Sequence, residues 1–388
     1  MPWKETKPVE ERKQLVQQYQ TGRYTISELA HAFGVSRKAV YHVLARVAVE
    51  GDAAYALRSR APQHHPNATP PEVVAAVVRA KHAHPTWGPL KLLPSPAEPP
   101  AIRAAWPKPS TRRVILERAG LVRRRRYRAR ATGTGLPLTL PTAPNTVWSA
   151  DFKGWFRTAD GMRCDPATIS DNYSRMLLAC TIVPPQTPPL RQVFERTFQE
   201  YGLPLVLRTD NGAPFASVGA GGLSRLAVWW VRLGITLERT APAHPEQNGR
   251  HERMHRTLKA ACCQPPAATP AAQQARFAAW QTEYHYRRPH EALGQVPPAR
   301  QYQPSPRPYP TRLPELVYPD RTLVRHVHSR GEIQWQGGHI FLSEALIGET
   351  VGIRDRAQGW EVSFGPIYLG ILDTLGERLI KGGGRHPH

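Results

Sequence analysis

The sequence predicts a multidomain protein with an N-terminal all-α helix-turn-helix domain, a central α/β core and a C-terminal small β-barrel. Three observations predict it. Between residues 8 and 47 apolar residues recur at helical spacing around a glycine turn. From Pro144 the texture changes to short apolar strands alternating with amphipathic helices. Beyond Pro314, short β-like runs are punctuated by Gly331, Gly337-Gly338, Gly348 and Gly359. A chain of 388 residues fits two to four domains, and its 40 prolines argue for stiff connections. The expected segments are 1–60, a helix-turn-helix domain; 61–130, a second such region, degenerate in its middle and ending in a basic arm; 131–145, a linker; 146–305, the core; 306–380, the barrel; and 381–388, a tail.

Charge separates these segments. The net charge is +22, from 52 Lys+Arg against 30 Asp+Glu. Residues 1–145 hold 24 basic and 9 acidic groups, residues 146–310 hold 19 and 12, and residues 311–388 hold 9 of each. A basic front on a neutral tail points to a polyanion, with nucleic acid the leading candidate. Four cysteines, Cys164, Cys180, Cys262 and Cys263, lack Cys-x-x-Cys spacing and suit a reducing compartment. No apolar signal core opens the sequence, and the longest apolar stretch, Leu177 to Val183, is far short of a bilayer span. A cytoplasmic, nucleoid-associated protein that avoids membranes is expected.

Residues 8–22 read as a helix carrying Val9, Leu15, Val16 and Tyr19 on one face. A second begins at Thr25 or Ser27 and holds Leu29, Ala30 and Phe33. Gly34-Val35-Ser36 turns the chain, and Ser36 caps a third helix with Val40, Leu44 and Val47. That is helix-turn-helix spacing, and it presents Arg37, Lys38, Tyr41 and His42 to a major groove.

Residues 70–122 repeat the theme less completely. Val73, Val74, Val77 and Val78 form a helical face, and Ser110-Thr111 is a candidate cap for a helix with Val114, Ile115 and Leu116. Six prolines between positions 94 and 109 predict a loop where a middle helix belongs. Arg123, Arg124, Arg125 and Arg126, followed by Arg128 and Arg130, put six guanidiniums within eight residues. Such crowding calls for phosphates and salt-dependent binding.

In the core, Val147 to Lys153 reads as a strand with Asp151 near its end. Met162 to Ser170 and Met176 to Val183 add strands, and Leu190, Val193, Phe194, Phe198 and Tyr201 fall on one helix face. Leu205-Val206-Leu207 is a short strand delivering Asp210, and Gly249 precedes a basic helix. Carboxylates from separate elements, converging at one sheet edge, are what a pair of Mg²⁺ ions needs to act on a phosphodiester. Asp151, Asp210 and a helical glutamate supply that set. Asp171 reads as a turn-forming acid, and Trp229 and Trp230 as core.

Trp148-Ser149-Ala150-Asp151-Phe152, Thr209-Asp210-Asn211-Gly212 and Asn248-Gly249-Arg250-His251-Glu252-Arg253-Met254-His255 resemble the catalytic core of integrase-type (DDE) insertion-sequence transposases, related to retroviral integrases. Tyr286 to Gly294 is similar to the segment closing that core. The resemblance implies a ribonuclease-H-like fold, with Asp151, Asp210 and Glu252 as catalytic and metal-binding acids. It further implies two Mg²⁺ or Mn²⁺ ions, double-stranded DNA (terminal inverted repeats and target) as partner, 3′-end cleavage followed by strand transfer, and a homodimer or higher oligomer in action. By count, 35 residues separate Asp210 from Glu246, as in retroviral cores, and 41 separate it from Glu252. The Gly–x–x–Glu phase selects Glu252, and the glycine-rich stretch Val218 to Leu223 offers the insertion. Lys153, His251, Arg253, Arg256 and Lys259 are candidate phosphate contacts.

Two rival readings remain. His251-Glu252-Arg253-Met254-His255 also matches the H-E-x-x-H zinc metalloprotease pattern, though no third ligand has a recognisable spacing. A catalytically impaired, transposase-derived DNA-binding protein is the other.

Overall fold

The computed structural model describes residues 7–58, 66–122, 138–241, 245–357, 359–373 and 378–382, with the side chains of Pro245 and Glu246 excluded. It divides into two units, Met1–Pro70 and Pro71–His388. Arg123, Arg124, Arg125, Arg126, Arg128 and Arg130, residues 131–137 of the expected linker and residues 383–388 of the tail lie outside the described residues.

In the first unit, helices α1 (Pro8–Gln20), α2 (Ile26–Ala32) and α3 (Arg37–Glu50) surround a small core of Leu15, Val16, Ala30, Val40 and Tyr55. Val9 and Tyr19, expected on the inner face of α1, are exposed. Thr25 is the cap of α2. Its Oγ1 accepts from Glu28 N at 3.3 Å while its own N–H donates to Glu28 Oε2 at 2.7 Å, closing a capping box. Gly34 turns the chain at φ +61°, and Ser36 Oγ accepts from Ala39 N to start α3. Thr25→Ala is expected to destabilise this unit by about 1 kcal/mol, and Thr25→Ser to spare it. Hydrogen exchange at the α2 amides reads the difference.

The second unit begins with α4 (Pro71–Ala83), α5 (Pro100–Ala104) and α6 (Pro109–Arg118) around Val77, Trp87, Leu92, Ile115 and Leu116. The proline-rich middle contains one short helix, admitted because Pro100 occupies a first-turn position where no N–H is needed. Ser110 and Thr111 do not cap α6. Pro109 opens that helix and Lys108 precedes it.

The core is a five-stranded mixed sheet. Its strands are β1 (Val147–Phe152), β4 (Pro166–Asp171), β5 (Leu177–Ile182), β6 (Val206–Thr209) and β7 (Thr236–Arg239), in the order β5-β4-β1-β6-β7. A small ribbon, β2 (Phe156–Arg157) with β3 (Arg163–Cys164), stands beside it. Helices α7 (Thr187–Tyr201), α8 (Arg225–Arg232), α9 (Gly249–Cys262) and α10 (Pro270–Tyr286) complete the fold. Phe194, Phe198, Trp229 and Trp230 are packed in its main cluster, so both tryptophans serve the core.

The expected C-terminal barrel does not close. Strands β8 (Leu323–His326), β11 (Thr350–Arg356), β12 (Gly359–Phe364), β13 (Ile367–Leu372) and β14 (Leu379–Lys381) form an open antiparallel sheet in the order β14-β13-β12-β11-β8. Strands β9 (Glu332–Trp335) and β10 (Gly338–Phe341) pair apart from it. The reason lies in what covers the sheet. Val362, Phe364 and Leu369 belong to the same apolar cluster as Leu226 and Trp230 of α8. Leu369 and Ile367 lie so close to Gly221 that a Cβ there would sit 3.0 and 3.1 Å from them. Arg232 ties the two parts by an ion pair to Glu349 at 2.5 Å and a hydrogen bond to Pro314 O. A sheet that buries its apolar face on a neighbour need not curl onto itself.

Candidate active site

Two of the acids are brought together by strand register alone. β1 and β6 run parallel, with Val147 opposite Val206 and Ser149 opposite Arg208. Two residues further along each chain stand Asp151 and Asp210. Even side-chain periodicity puts them on one face of neighbouring strands about 4.8 Å apart. Asp210 lies just past the end of β6, where its Oδ1 accepts from Gly212 N at 3.1 Å. The third acid comes from α9. His251, Met254, Leu258 and Cys262 face inward, so Glu252 and Arg253 face solvent at the first turn.

Electrostatics report the convergence. Burial, the Asp210 carboxylate and the Glu252 carboxylate together push Asp151 up to about 7, against a hydrogen bond from the Phe152 backbone that favours the charged form. Among the described residues none of the three acids has an ion-pair partner. Asn248 Nδ2 donates to Asp151 Oδ2 at 3.4 Å. Like charges crowded around an unpaired, partly buried carboxyl are relieved by a cation. The donors are all hard oxygens, which suits Mg²⁺ or Mn²⁺.

The histidines do something else. Both His251 Nε2 and His255 Nε2 lie within hydrogen-bond distance of Thr168 Oγ1, at 2.8 and 2.7 Å, and His251 Nδ1 pairs with Ser170 Oγ. Thr168 Oγ1 in turn donates to Asp151 O at 3.0 Å. One hydroxyl thereby ties α9, which carries Glu252, to the strand that carries Asp151. Burial drives His251 well below its ordinary value and His255 to about 3, so both are neutral. Ligand atoms of Asp151, His251 and His255 lie within 4.8 Å of one another. Both ring nitrogens of His251 and Nε2 of His255 are already engaged, however, and Glu252, the base a metalloprotease would need, is exposed to solvent while the histidines are turned to the sheet. The H-E-x-x-H pattern here is a helix-to-sheet anchor.

Among the candidate DNA contacts, Arg37, Lys38, Tyr41 and His42 are all exposed on α3. Arg253, Arg256 and Lys259 are exposed on α9, and Lys153 is half-buried with its ammonium 5.3 Å from the Phe156 ring. His251 is 1% exposed, which removes it from any phosphate surface. Asp171 accepts from Asn145 N, Ser174 N and Ser174 Oγ, the turn role its position suggested. Sequence reading missed Thr168 and Asn248. The alternation of Thr168 and Ser170 with apolar neighbours in β4 was the available signal for the first.

The chain matches the integrase core domain family over residues 141–245 and 233–298, and a helix-turn-helix domain family over residues 11–62. It is 30% identical over 188 residues to an uncharacterised protein of insertion element IS407 from Burkholderia multivorans, a match spanning 48% of this chain and 65% of that one. It is 36% identical over 69 residues to the Gag-Pol polyprotein of baboon endogenous virus, 18% of this chain and 4% of the polyprotein. Among solved structures, the HTLV-2 integrase catalytic core domain in complex with magnesium aligns at 15% identity and a TM-score of 0.34, over 42% of this chain and all of that one. The bovine immunodeficiency virus (BIV) integrase catalytic core aligns at 20% identity and a TM-score of 0.32, over 41% and 93%.

By fold and site the protein resembles the integrase-core class, with the residues that match a helix-turn-helix domain lying ahead of that core in sequence. Within that class it resembles the DDE transposases of insertion sequences, relatives of the retroviral integrases, as its motifs imply.

Proposed function

We propose that the protein is a DNA transposase that binds the terminal inverted repeats of an insertion sequence, cleaves their 3′ ends and joins them to target DNA. The observation that carries this reading is the parallel register placing Asp151 beside Asp210, with Glu252 close enough to raise the same carboxyl. Two divalent ions held by Asp151, Asp210 and Glu252 would supply polarisation of the attacking and leaving oxygens of a phosphodiester. The residues themselves do the positioning. Asn248 and the Thr168 hydroxyl orient Asp151 and the helix bearing Glu252. Arg253, Arg256 and Lys259, exposed on that helix, are placed to hold backbone phosphates beside the acids, while Arg37, Lys38, Tyr41 and His42 read a major groove. Joining two DNA ends calls for at least two copies of the chain. Its setting is the cytoplasm, on the nucleoid; no described helix is long and apolar enough to cross a membrane.

The test supplies duplexes carrying the gene's flanking DNA to purified protein with Mg²⁺ and maps products to the nucleotide. Cuts at the 3′ ends of inverted repeats, followed by joining, are expected. Specific binding with no cut under Mg²⁺ or Mn²⁺ would instead favour a DNA-binding protein without catalysis.

A further inference from the structure

A second charged site stands beside the acids and is of opposite sign. Between the Asn172–Arg175 turn, Arg250 and the Ala292-Leu293 segment lies a cavity of about 300 Å³. Arg175 Nη1 and Arg250 Nη1 both donate to one carbonyl, Asn172 O, at 2.5 and 3.3 Å. Arg175 is held at φ +67°, a backbone state that few side chains other than glycine adopt. Arg288 is 6% exposed, with its guanidinium 5.9 Å from the centre of the Trp87 ring. Neither Arg288 nor Lys91 lines the cavity itself; Lys91, four residues after Trp87 in the loop that follows α4, is close enough to Arg288 to feel its charge.

These cations repel one another. Burial, Arg288 and Arg253 push Lys91 down to about 8, and burial and Arg250 push Arg175 to about 10. His290 Nε2 is buried without a hydrogen-bond partner, and Lys91, Arg288 and Arg175 all act on that ring. Among the described residues none of Lys91, Arg175, Arg250 and Arg288 takes part in an ion pair. Glu291 opposes the repulsion at Lys91, and Glu283, which opposes it at Arg288, is already bonded to His84. A fold keeps such repulsion when a bound anion relieves it.

We propose that Lys91, Arg175, Arg250 and Arg288 form a basin for backbone phosphates of the DNA strand that passes the carboxylates, an extension that rests on the DNA reading above. Asn172 N bonds Val147 O, four residues before Asp151 on β1. At about 3.3 Å per strand residue the Asn172 side of the basin lies about 13 Å along β1 from Asp151, or about four base steps of duplex at 3.4 Å each, and its Arg250 side stands two residues from Glu252 on α9. Residues 71–122 thereby add a phosphate contact to the core.

The experiment uses the full chain and one duplex of flanking DNA, with affinity measured across a salt series. The Lys91→Gln/Arg250→Gln double variant is expected to bind with a slope of log affinity against log salt shallower by about two, since each phosphate contact contributes about 0.9. Lys91→Arg/Arg250→Lys is expected to restore the slope. Without DNA, Lys91→Gln is expected to melt no lower than the parent, because a repulsion has gone. An unchanged slope with binding intact, or a lower melting temperature for Lys91→Gln, would overturn the basin and leave the transposase reading standing. A parent protein with no salt-dependent DNA binding would overturn both.

Discussion

Asp210→Asn is expected to abolish metal-dependent DNA cleavage, by on the order of 10³-fold or more, while stabilising the metal-free protein. Both effects come from one carboxylate. Asp210 is a member of the acidic set, and after burial it is also the largest influence raising Asp151. Removing its charge leaves the Asp151 carboxylate less crowded. The folded state gains about 1–2 kcal/mol above neutral pH, after allowance for the partial exposure of the site. Cleavage of flanking DNA and thermal melting without metal measure the two together. A variant that still cuts at the parent rate sinks the three-acid site. One that loses both cleavage and stability marks Asp210 as a structural residue.

The second large effect is in pH. Asp151 sits at about 7 in the folded chain, against an ordinary value near 3.8. Its contribution to stability is therefore complete below about pH 3.8 and is lost as pH rises through about 7. Metal binding runs the opposite way, because it needs the carboxylate form and must displace the proton. Mg²⁺ affinity, read by calorimetry or by the rise in melting temperature, is expected to climb about tenfold per pH unit below 7 and to level off above it. An inflection there is usually assigned to histidine. Here His251 and His255 are already neutral well below that pH, so the inflection belongs to Asp151. It is expected to vanish in Asp151→Asn and to persist in His255→Gln. Persistence in Asp151→Asn would assign the titration elsewhere.

Much of this was legible in one dimension. Thr25, Glu28, Gly34 and Ser36 act through neighbours three or four residues away, so capping boxes and turns can be read directly from spacing. The three acids were equally visible, because each sits at a strand or helix end marked by its own local motif. The open C-terminal sheet was not. Its glycine-punctuated runs specify strands, but whether a sheet curls or docks depends on which apolar face covers it, and that face belongs to α8, more than a hundred residues earlier.

The sequence by itself determined the helix-turn-helix and the strand–helix order of the core, and its motifs marked Asp151, Asp210 and Glu252 as candidates, since those readings rest on local periodicity and short motifs. Only the tertiary structure decided that Thr168 bridges the strand of one acid to the helix of another, that His251 is buried, and that Arg175 and Arg250 line one cavity. The physical reason is that burial and charge crowding are sums over neighbours in space, and those neighbours are fixed by strand register and helix docking across hundreds of residues.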